Sequence, residues 1–174
     1  FVHIPLFLVV VLHISNAQSG TELSLGIDEF HSKTRPEYLG IKLGLCTNTG
    51  GVNHTGQRTI ELLEQEFGLD LLLTLDDWND TTTFSDNRTS VIVEGHSFEK
   101  INISGILPVQ IVELIKDLDV LFVDLQGIGI RSQSYTVTLQ HLLYAGGIAS
   151  TSIIILDRPN PLGGEMVSGN IPQD

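Results

Sequence analysis

The sequence contains a single cysteine and few basic residues, and both shortages restrict the possible protein classes. Cys46 cannot form an intrachain disulfide, and its place in the apolar run KLGLC predicts a buried, unreactive thiol, with a nucleophile as the alternative. Nine Lys and Arg residues stand against 21 Asp and Glu residues, so the formal net charge is −12. Because nucleic acids and anionic membranes are bound through basic patches, this balance argues against both as partners.

Common motifs of cofactor and metal sites are also missing. The sequence has no Walker lysine motif, no HExxH and no CxxC. Gly127-Ile128-Gly129 is a lone GxG, and Ser132 stands where a dinucleotide-binding loop has its third glycine. The histidines are scattered, and we interpret His96 and His141 as surface or packing residues. We therefore expect no cofactor and no metal site.

The N-terminal segment, residues 1–17, is apolar and contains no Lys, Arg, Asp or Glu. Ser15 and Ala17 are small residues before a possible cleavage site. The pattern predicts a signal peptide that is incomplete at its start, since neither an initiator Met nor a basic flank precedes it. The segment is too short for a comfortable transmembrane helix, so we expect no stable membrane span. A buried strand or helix is the alternative interpretation.

Four Asn-X-Ser/Thr sequons favour the same secretory route. The candidate glycosylation sites are Asn53, Asn79, Asn87 and Asn102. Because N-glycans are added to chains that enter the secretory pathway, the sequence predicts a secreted, extracellular glycoprotein.

Beyond this segment, apolar runs alternate with helical patterns, which predicts one α/β domain. The predicted strands are residues 42–46, 69–75, 91–93, 119–123 and 152–156. The predicted helices run from a cap at Thr55 to about Phe67, from Pro108 to Lys116, and from Gln133 to Tyr144, with Gly146-Gly147 as the stop. Since the strands are continuous apolar runs, we expect a Rossmann-like, mostly parallel sheet with helices on both faces.

Polar residues collect directly after these strands. They are Asn48, Asp76, Asp124, Gln126, Arg131, Asp157, Arg158 and Asn160. Right-handed crossovers bring the carboxyl ends of parallel strands to one edge of the sheet, where ligands bind. Carboxylates accept hydrogen bonds from sugar hydroxyls and arginines donate to carboxylates, so this edge suits a polyhydroxylated, acidic ligand. The structural alternative is that the aspartates cap helices and that Asp157 and Arg158 form a local ion pair.

Several stretches resemble the NamZ-type exo-β-N-acetylmuramidase family. DLQGIGIR at 124–131, with Tyr135 and Thr138-Leu139, is similar to the family's DIQDVGVRFYTYISTL, and LDRPNPLGG at 156–164 is similar to LDRPNPIGG. GID at 26–28 and GLCTNTG at 44–50 resemble the family's opening GID and GLITNQTG. The resemblance implies that residues 24–174 form the family's N-terminal Rossmann-like domain. It also implies a smaller C-terminal domain, which we expect to be missing from this sequence.

The resemblance further implies release of terminal N-acetylmuramic acid from peptidoglycan fragments, so the expected partner is a muramic-acid-containing glycan or muropeptide. The family's PEHG motif corresponds here to Leu75-Asp76-Asp77-Trp78, which makes Asp76 the acid/base candidate, with Tyr135 assisting. The residues expected to shape the sugar pocket are Asn48, Asp124, Gln126, Arg131, Asp157, Arg158 and Asn160. Because PEHG is not retained, a non-catalytic glycan binder or degenerate family member is the alternative function.

Overall fold

A computed structural model describes residues 10–11, 24–33, 35–75, 88–93, 95–130 and 134–163. The strands are β1 (Val10–Val11), β2 (Leu43–Thr47), β3 (Leu71–Thr74), β4 (Arg88–Val93), β5 (His96–Asn102), β6 (Val120–Asp124) and β7 (Ser152–Ile155). The helices are α1 (Gly26–His31), α2 (Thr59–Phe67), α3 (Pro108–Ile115) and α4 (Tyr135–Ala149), with a 3₁₀ helix at Pro36–Tyr38. The strands form one sheet in the order β1-β7-β6-β2-β3-β5-β4.

The sheet is mostly parallel and separates two hydrophobic cores, which confirms the predicted fold class. The β4–β5 pair is antiparallel, and the other pairs are parallel. Leu45 and Phe122 pack with α1 and α2 on one face, whereas Cys46 and Val123 pack with α3 and α4 on the other. Successive strand residues point to opposite faces, so strands that are buried on both faces must be apolar throughout.

The predicted cap of α2 at Thr55 is wrong, because the helix begins four positions later, at Thr59. Thr55 instead belongs to a turn in which its N–H and hydroxyl donate to Asn53 Oδ1 at 3.0 and 2.8 Å. An isolated bridge between Val52 and Arg58 closes this turn. The N–H and hydroxyl of Thr55 are therefore bonded to the side chain of Asn53 in a turn, and the hydroxyl does not cap α2.

The predicted helix stop at Gly146-Gly147 is also wrong, since α4 continues to Ala149 and ends at Ser150, which adopts the left-handed conformation with φ 61°. A Cβ atom on Gly146 would lie 2.8 Å from Ile153 Cγ1 and 3.1 Å from the carbonyl oxygen of Thr151. Gly146 is thus a contact residue, and its missing side chain allows α4 to approach β7 closely.

The sequence pattern missed β5, whose residues HSFEKIN alternate between exposed and buried positions over most of the strand. β5 pairs with β3 on one side and with β4 on the other, and Gly95 makes the connecting turn with φ 84°. β4 and β5 form an antiparallel hairpin at this edge of the sheet, so β5 is not a fully buried parallel strand. It therefore contains polar residues and lacks the continuous apolar run from which the other strands were predicted.

Two residues of the predicted signal segment are described, and they form β1. Val10 and Val11 pair with Ile154 and Ile155 at the edge of the sheet. The signal peptide at 1–17 remains a prediction, because the rest of the segment lies outside the described residues. Among the residues that the structure describes, no helix is long and apolar enough to cross a membrane.

Candidate functional site

The carboxyl edge of the sheet contains a point where the chain reverses direction across the sheet. From β2 the chain proceeds to β3 on one side, and later it returns to β6 on the other side of β2. α2 covers one face, and α3 and α4 cover the opposite face. In open α/β sheets the loops that diverge at such a position leave a crevice that binds ligands. The loops after β2 and β6 are therefore the expected walls of a site.

Asn48 joins these two loops. Its Nδ2 donates to the carbonyl oxygen of Gln126 at 2.9 Å, and its Oδ1 accepts from the Gln126 N–H at 3.2 Å. The same Oδ1 accepts from the N–H of Gly50 at 3.2 Å. Asn48 is buried, so its amide replaces the backbone pairing that ends with the strands.

A buried ion pair connects the ends of β6 and β7. Arg158 Nε donates to Asp124 Oδ1, and Arg158 Nη2 donates to Asp124 Oδ2 and to the carbonyl oxygen of Val52, both at 2.8 Å. The hydroxyl of Thr59, at the start of α2, donates to Asp124 Oδ2. The side chains of Asp124 and Arg158 are 0% and 5% exposed. This carboxylate is therefore surrounded by protein donors, as a buried charge requires.

The structure thus changes the interpretation of Asp124 and Arg158. The local ion pair between Asp157 and Arg158 is wrong, because the guanidinium of Arg158 pairs with Asp124, while Asp157 Oδ1 accepts from the backbone N–H of Arg158 at 3.0 Å. Both members of the Asp124–Arg158 pair face protein groups instead of solvent. Direct sugar binding by these two residues remains a prediction without a supporting contact.

Gln126 and Asn160 hold the loop after β7 against the loop after β6. Gln126 Nε2 donates to the carbonyl oxygen of Gly127 at 2.7 Å and to that of Pro159 at 3.2 Å. Gly129 adopts φ 73°, and a Cβ atom there would lie 2.4 Å from Asn160 Nδ2. Gly129 therefore serves both a left-handed turn and a close approach of the two loops.

A cavity of about 570 Å³ opens one strand further along, at the carboxyl ends of β6 and β7, beside the first turn of α4. The loop after β6 lines it, as expected, but the loop after β7 forms the second wall instead of the loop after β2. Its polar lining residues are Gln126, Tyr135, Thr136, Asp157, Arg158 and Asn160. Its apolar lining includes Leu125, Ile130, Leu139 and Leu156. This size and mixed lining are typical of sites for small ligands.

The first turn of α4 gives the cavity a favourable potential for an anion. Tyr135 and Thr136 are the first two residues of this 15-residue helix, and no acidic residue lies in its first turn. The first N–H groups of a helix have no intrahelical partners, and the helix dipole favours negative charge at this end. A carboxylate in the cavity would lie close to these groups.

The structure brings together six of the predicted site residues. Asn48, Asp124, Gln126, Asp157, Arg158 and Asn160 form one connected set at the carboxyl edge, and Tyr135 lines the cavity beside them. Asp76 and Arg131, together with the sequon residues Asn79 and Asn87, lie outside the described residues. Asn53 and Asn102 are described and partly buried.

Sequence reasoning missed Thr59 and Thr136. Thr59 lies within an amphipathic helical pattern, and no local signal distinguishes it from an ordinary buried helix residue. Thr136 follows Tyr135 in the resemblance, but its exposure to the cavity depends on the position of α4. In both cases the relevant contact joins segments that are far apart in the chain.

Cys46 is fully buried, and its burial, together with the nearby Asp124 carboxylate, raises the pKa of the thiol. This environment agrees with the predicted unreactive thiol, because the thiolate is the nucleophilic form. Among the described residues, no group of three or more His, Cys, Asp or Glu side chains could hold a metal ion.

Comparison with known protein families identifies a family that shares most of this chain. Residues 43–174 match the family model described as exo-β-N-acetylmuramidase NamZ, N-terminal. The match includes β2 through β7, and with them Asn48, Asp124 and Arg158. This chain belongs to that family.

Individual NamZ relatives extend well beyond the region that they share with this chain. The peptidoglycan β-N-acetylmuramidase NamZ of Bacillus subtilis (strain 168) is 26% identical over 153 residues, which is 86% of this chain and 37% of the relative. A DUF1343 family protein from Bacteroides fragilis NCTC 9343 is 29% identical, with a TM-score of 0.66 over 87% of this chain and 38% of that chain. The chain therefore spans less than two fifths of the length of these relatives.

A second DUF1343 family protein from the same organism shares the fold of this chain at lower identity. It is 21% identical, with a TM-score of 0.59, and the match covers 81% of this chain and 36% of that chain. The family membership places this chain in a peptidoglycan-processing glycoside hydrolase family. The two solved structures share its fold.

Proposed function

We propose that this domain contributes the sugar-binding wall of a secreted exo-β-N-acetylmuramidase that acts on peptidoglycan fragments. The observation that carries the proposal is the cavity at the carboxyl ends of β6 and β7, in a chain that belongs to the NamZ N-terminal family. The B. subtilis relative is described as a peptidoglycan β-N-acetylmuramidase, and it supports this substrate class.

The lining of the cavity suits N-acetylmuramic acid. Asp157 and Asn160 supply acceptors for ring hydroxyls, and Gln126 and Thr136 supply side-chain groups that can donate or accept. The apolar side chains beside them can contact the methyl groups of the acetamido and lactyl substituents. A pocket of this kind orients a sugar through few polar contacts while burying much of its surface.

The lactyl carboxylate is the feature that distinguishes muramic acid from glucosamine, and the first turn of α4 supports its recognition. Of the two arginines that could bind this carboxylate, the structure describes Arg158, but its Nε and Nη2 already donate to Asp124 and to the carbonyl oxygen of Val52. The N-terminal end of α4, at Tyr135 and Thr136, offers an alternative that needs no arginine. Arg131, three residues before Ser134, remains a second candidate.

We further propose Asp76 as the general acid/base, with Tyr135 assisting. Glycoside cleavage needs a group that protonates the leaving oxygen and a second group that supports attack at the anomeric carbon. Asp76 follows β3, which is adjacent to β2 in the sheet, so the expected position of its carboxylate is the same edge.

The test is release of a chromophore from a β-N-acetylmuramide by the full-length protein. We expect release by the wild type and a loss of at least about a hundredfold in kcat for Asp76→Asn, which keeps the shape of the side chain. Asp77→Asn, one residue further on, is the matched control and should retain activity. Equal activity of the wild type and Asp76→Asn would reject Asp76, and no release by the wild type would reject catalysis.

A second candidate function is glycan binding without turnover, because LDDW replaces the family's PEHG motif. Calorimetry with N-acetylmuramic acid, and with N-acetylglucosamine as the control that lacks the lactyl group, separates the two functions. Binding of the first sugar without chromophore release would favour this alternative, whereas an absence of binding would eliminate it.

Secretion and N-glycosylation also belong to the proposal. Expression of the complete precursor in eukaryotic cells, followed by mass spectrometry of the secreted chain, should give an N-terminus at Gln18. Treatment with a peptide N-glycosidase should lower the mass of the secreted chain. A retained segment 1–17, or an unchanged mass, would contradict the respective part of this prediction.

A further inference from the structure

The hydroxyl of Thr59 connects a helix to the cavity through two intermediate side chains. Thr59 is fully buried at the first position of α2. Its hydroxyl donates to Asp124 Oδ2, and Asp124 in turn accepts from Arg158. Arg158 is part of the loop that lines the cavity with Asp157 and Asn160. We propose that Thr59 is a positioning residue for the sugar-binding wall, an inference that rests on the proposed function.

The backbone around Thr59 ties the loop after β2 to the same cluster. The Thr59 N–H donates to the carbonyl oxygen of Gly51 at 2.9 Å, and the carbonyl oxygen of Val52 accepts from Arg158 Nη2 at 2.8 Å. A Cβ atom on Gly51 would lie 2.1 Å from Thr47 Oγ1 and 3.4 Å from Asp124 Oδ2. The loop therefore passes so close to the Thr47 hydroxyl, beside the carboxylate, that a side chain at this position would clash.

The position of the carboxylate follows from this arrangement. Asp124 lies at the N-terminal end of α2 through the Thr59 hydroxyl, where the helix dipole stabilises a negative charge. Its oxygens also receive two donors from the planar guanidinium of Arg158, which fixes the orientation of both groups. Without the Thr59 hydroxyl, the carboxylate loses one of the three side-chain donors named above. The loop that contains Arg158 then loses its hydrogen-bonded connection to α2 through Asp124.

The consequence for the cavity passes through the backbone of the β7 loop. Pro159 follows Arg158 directly, and its carbonyl oxygen accepts from Gln126 Nε2 at 3.2 Å. Asn160 lies against Gly129 of the β6 loop. A shift of Arg158 therefore moves Asp157 and Asn160 relative to Gln126, which are polar groups of the cavity. Small displacements of groups that bind or react with substrate carry large penalties.

Three variants of the full-length protein test the positioning role. Thr59→Val removes the hydroxyl and keeps the branched shape, and Thr59→Ser restores the hydroxyl. Thr151→Val is the matched control, because Thr151 is equally buried and donates to the carbonyl oxygen of Ile115 at 2.8 Å, outside this cluster. If Thr59→Val does not fold, Thr59→Ala gives the same comparison without a methyl group against the carboxylate.

Two measurements are made on each variant: the exchange rate of the Arg158 Nε proton by NMR without ligand, and the dissociation constant of N-acetylmuramic acid. We expect Thr59→Val to raise both by about tenfold, the factor associated with loss of one hydrogen bond. Thr59→Ser should remain near the wild type. Thr151→Val should lower the melting temperature without changing either quantity.

Failure of this inference is distinguishable from failure of the proposed function. If the wild type does not bind N-acetylmuramic acid, the proposed substrate is wrong, and the exchange rate alone decides the role of Thr59. If Thr59→Val lowers the melting temperature but leaves the exchange rate and the affinity unchanged, as in the control, Thr59 is merely structural and the inference is overturned.

Discussion

Asn48 and Gln126, 78 residues apart in the chain, are hydrogen-bonded in both directions. The side-chain amide of Asn48 donates a hydrogen bond to the Gln126 carbonyl oxygen through Nδ2 and accepts one from the Gln126 N–H through Oδ1. This pair joins the loops after β2 and β6. An asparagine suits the position because one amide presents a donor and an acceptor side by side.

Replacement of this amide should destabilise the domain. Asn48→Ala leaves the partly buried N–H and carbonyl of Gln126 without their partner, so we expect a loss of about 1–3 kcal/mol in the free energy of unfolding. Gln126→Ala, which keeps the backbone groups bonded to Asn48, is the control and should cost less. Urea denaturation measures the free energy of unfolding of both variants. An equal loss would show that the hydrogen bonds of the Asn48 side chain stabilise the domain no more than those of the Gln126 side chain.

The Asp124–Arg158 pair should show strong coupling. Removal of one member of a buried ion pair leaves an uncompensated charge and costs about 3–5 kcal/mol. We expect Asp124→Leu and Arg158→Met each to approach this cost, and the double variant to lose much less than their sum.

The exposed pair formed by Lys116 and Glu113 provides the control cycle. Its side chains are 50% and 69% exposed, and solvent screens such pairs to well below the energy of a buried pair. Urea denaturation of both cycles measures the two coupling energies. Additive losses at Asp124 and Arg158 would contradict the role of the pair as a connected unit.

Cys46 should react with thiol reagents only when the domain unfolds. The thiol is fully buried, and burial raises its pKa, so little thiolate forms in the folded state at neutral or mildly alkaline pH. We expect no labelling by a disulfide reagent at pH 8 in the absence of denaturant. Labelling rates should rise with urea in parallel with the unfolded fraction, and rapid labelling of the native protein would contradict the burial.

Gly146→Ala should reverse the usual effect of this substitution in a helix. Alanine normally stabilises a helix interior by about 0.5–1 kcal/mol relative to glycine. Here the added Cβ would meet Ile153 at 2.8 Å, so we expect a lower melting temperature. Gly147→Ala, at a partly buried position of the same helix, should raise the melting temperature and serves as the control. A gain at both positions would mean that α4 can move away from β7 at little cost.

The successes and failures of the sequence analysis have a common physical basis. Apolar runs such as 119–123 predicted β6 because a strand that is buried on both faces has no place for polar side chains. β5 carries the charged residues Glu99, which is exposed, and Lys100, which is buried, so its apolar run was not continuous and the strand was missed. Gly146 and Gly147 predicted a helix end, but α4 continues through both. At Gly146 the glycine is needed for the close packing of α4 against β7.

The same distinction holds for the candidate site. The sequence predicted that its residues lie together because polar groups after buried strands meet at one edge in a parallel sheet, which is a consequence of chain direction alone. Their partners could not be found in this way. The pairing of Arg158 with Asp124 instead of its neighbour Asp157 depends on the separation of β6 and β7 and on the Val52 carbonyl oxygen beside them.

The fold class, the family and the sheet edge at which the predicted site residues meet follow from the sequence, because periodicity, chain direction and local motifs are properties of short segments. Which polar residues hold this edge together, and which line the cavity, depends on the packing of the whole domain. Hydrogen bonds and burial between residues that are far apart in the chain depend on how the strands and helices pack. For that reason Asp124 is enclosed by protein groups, whereas Asp157 and Asn160 line the cavity.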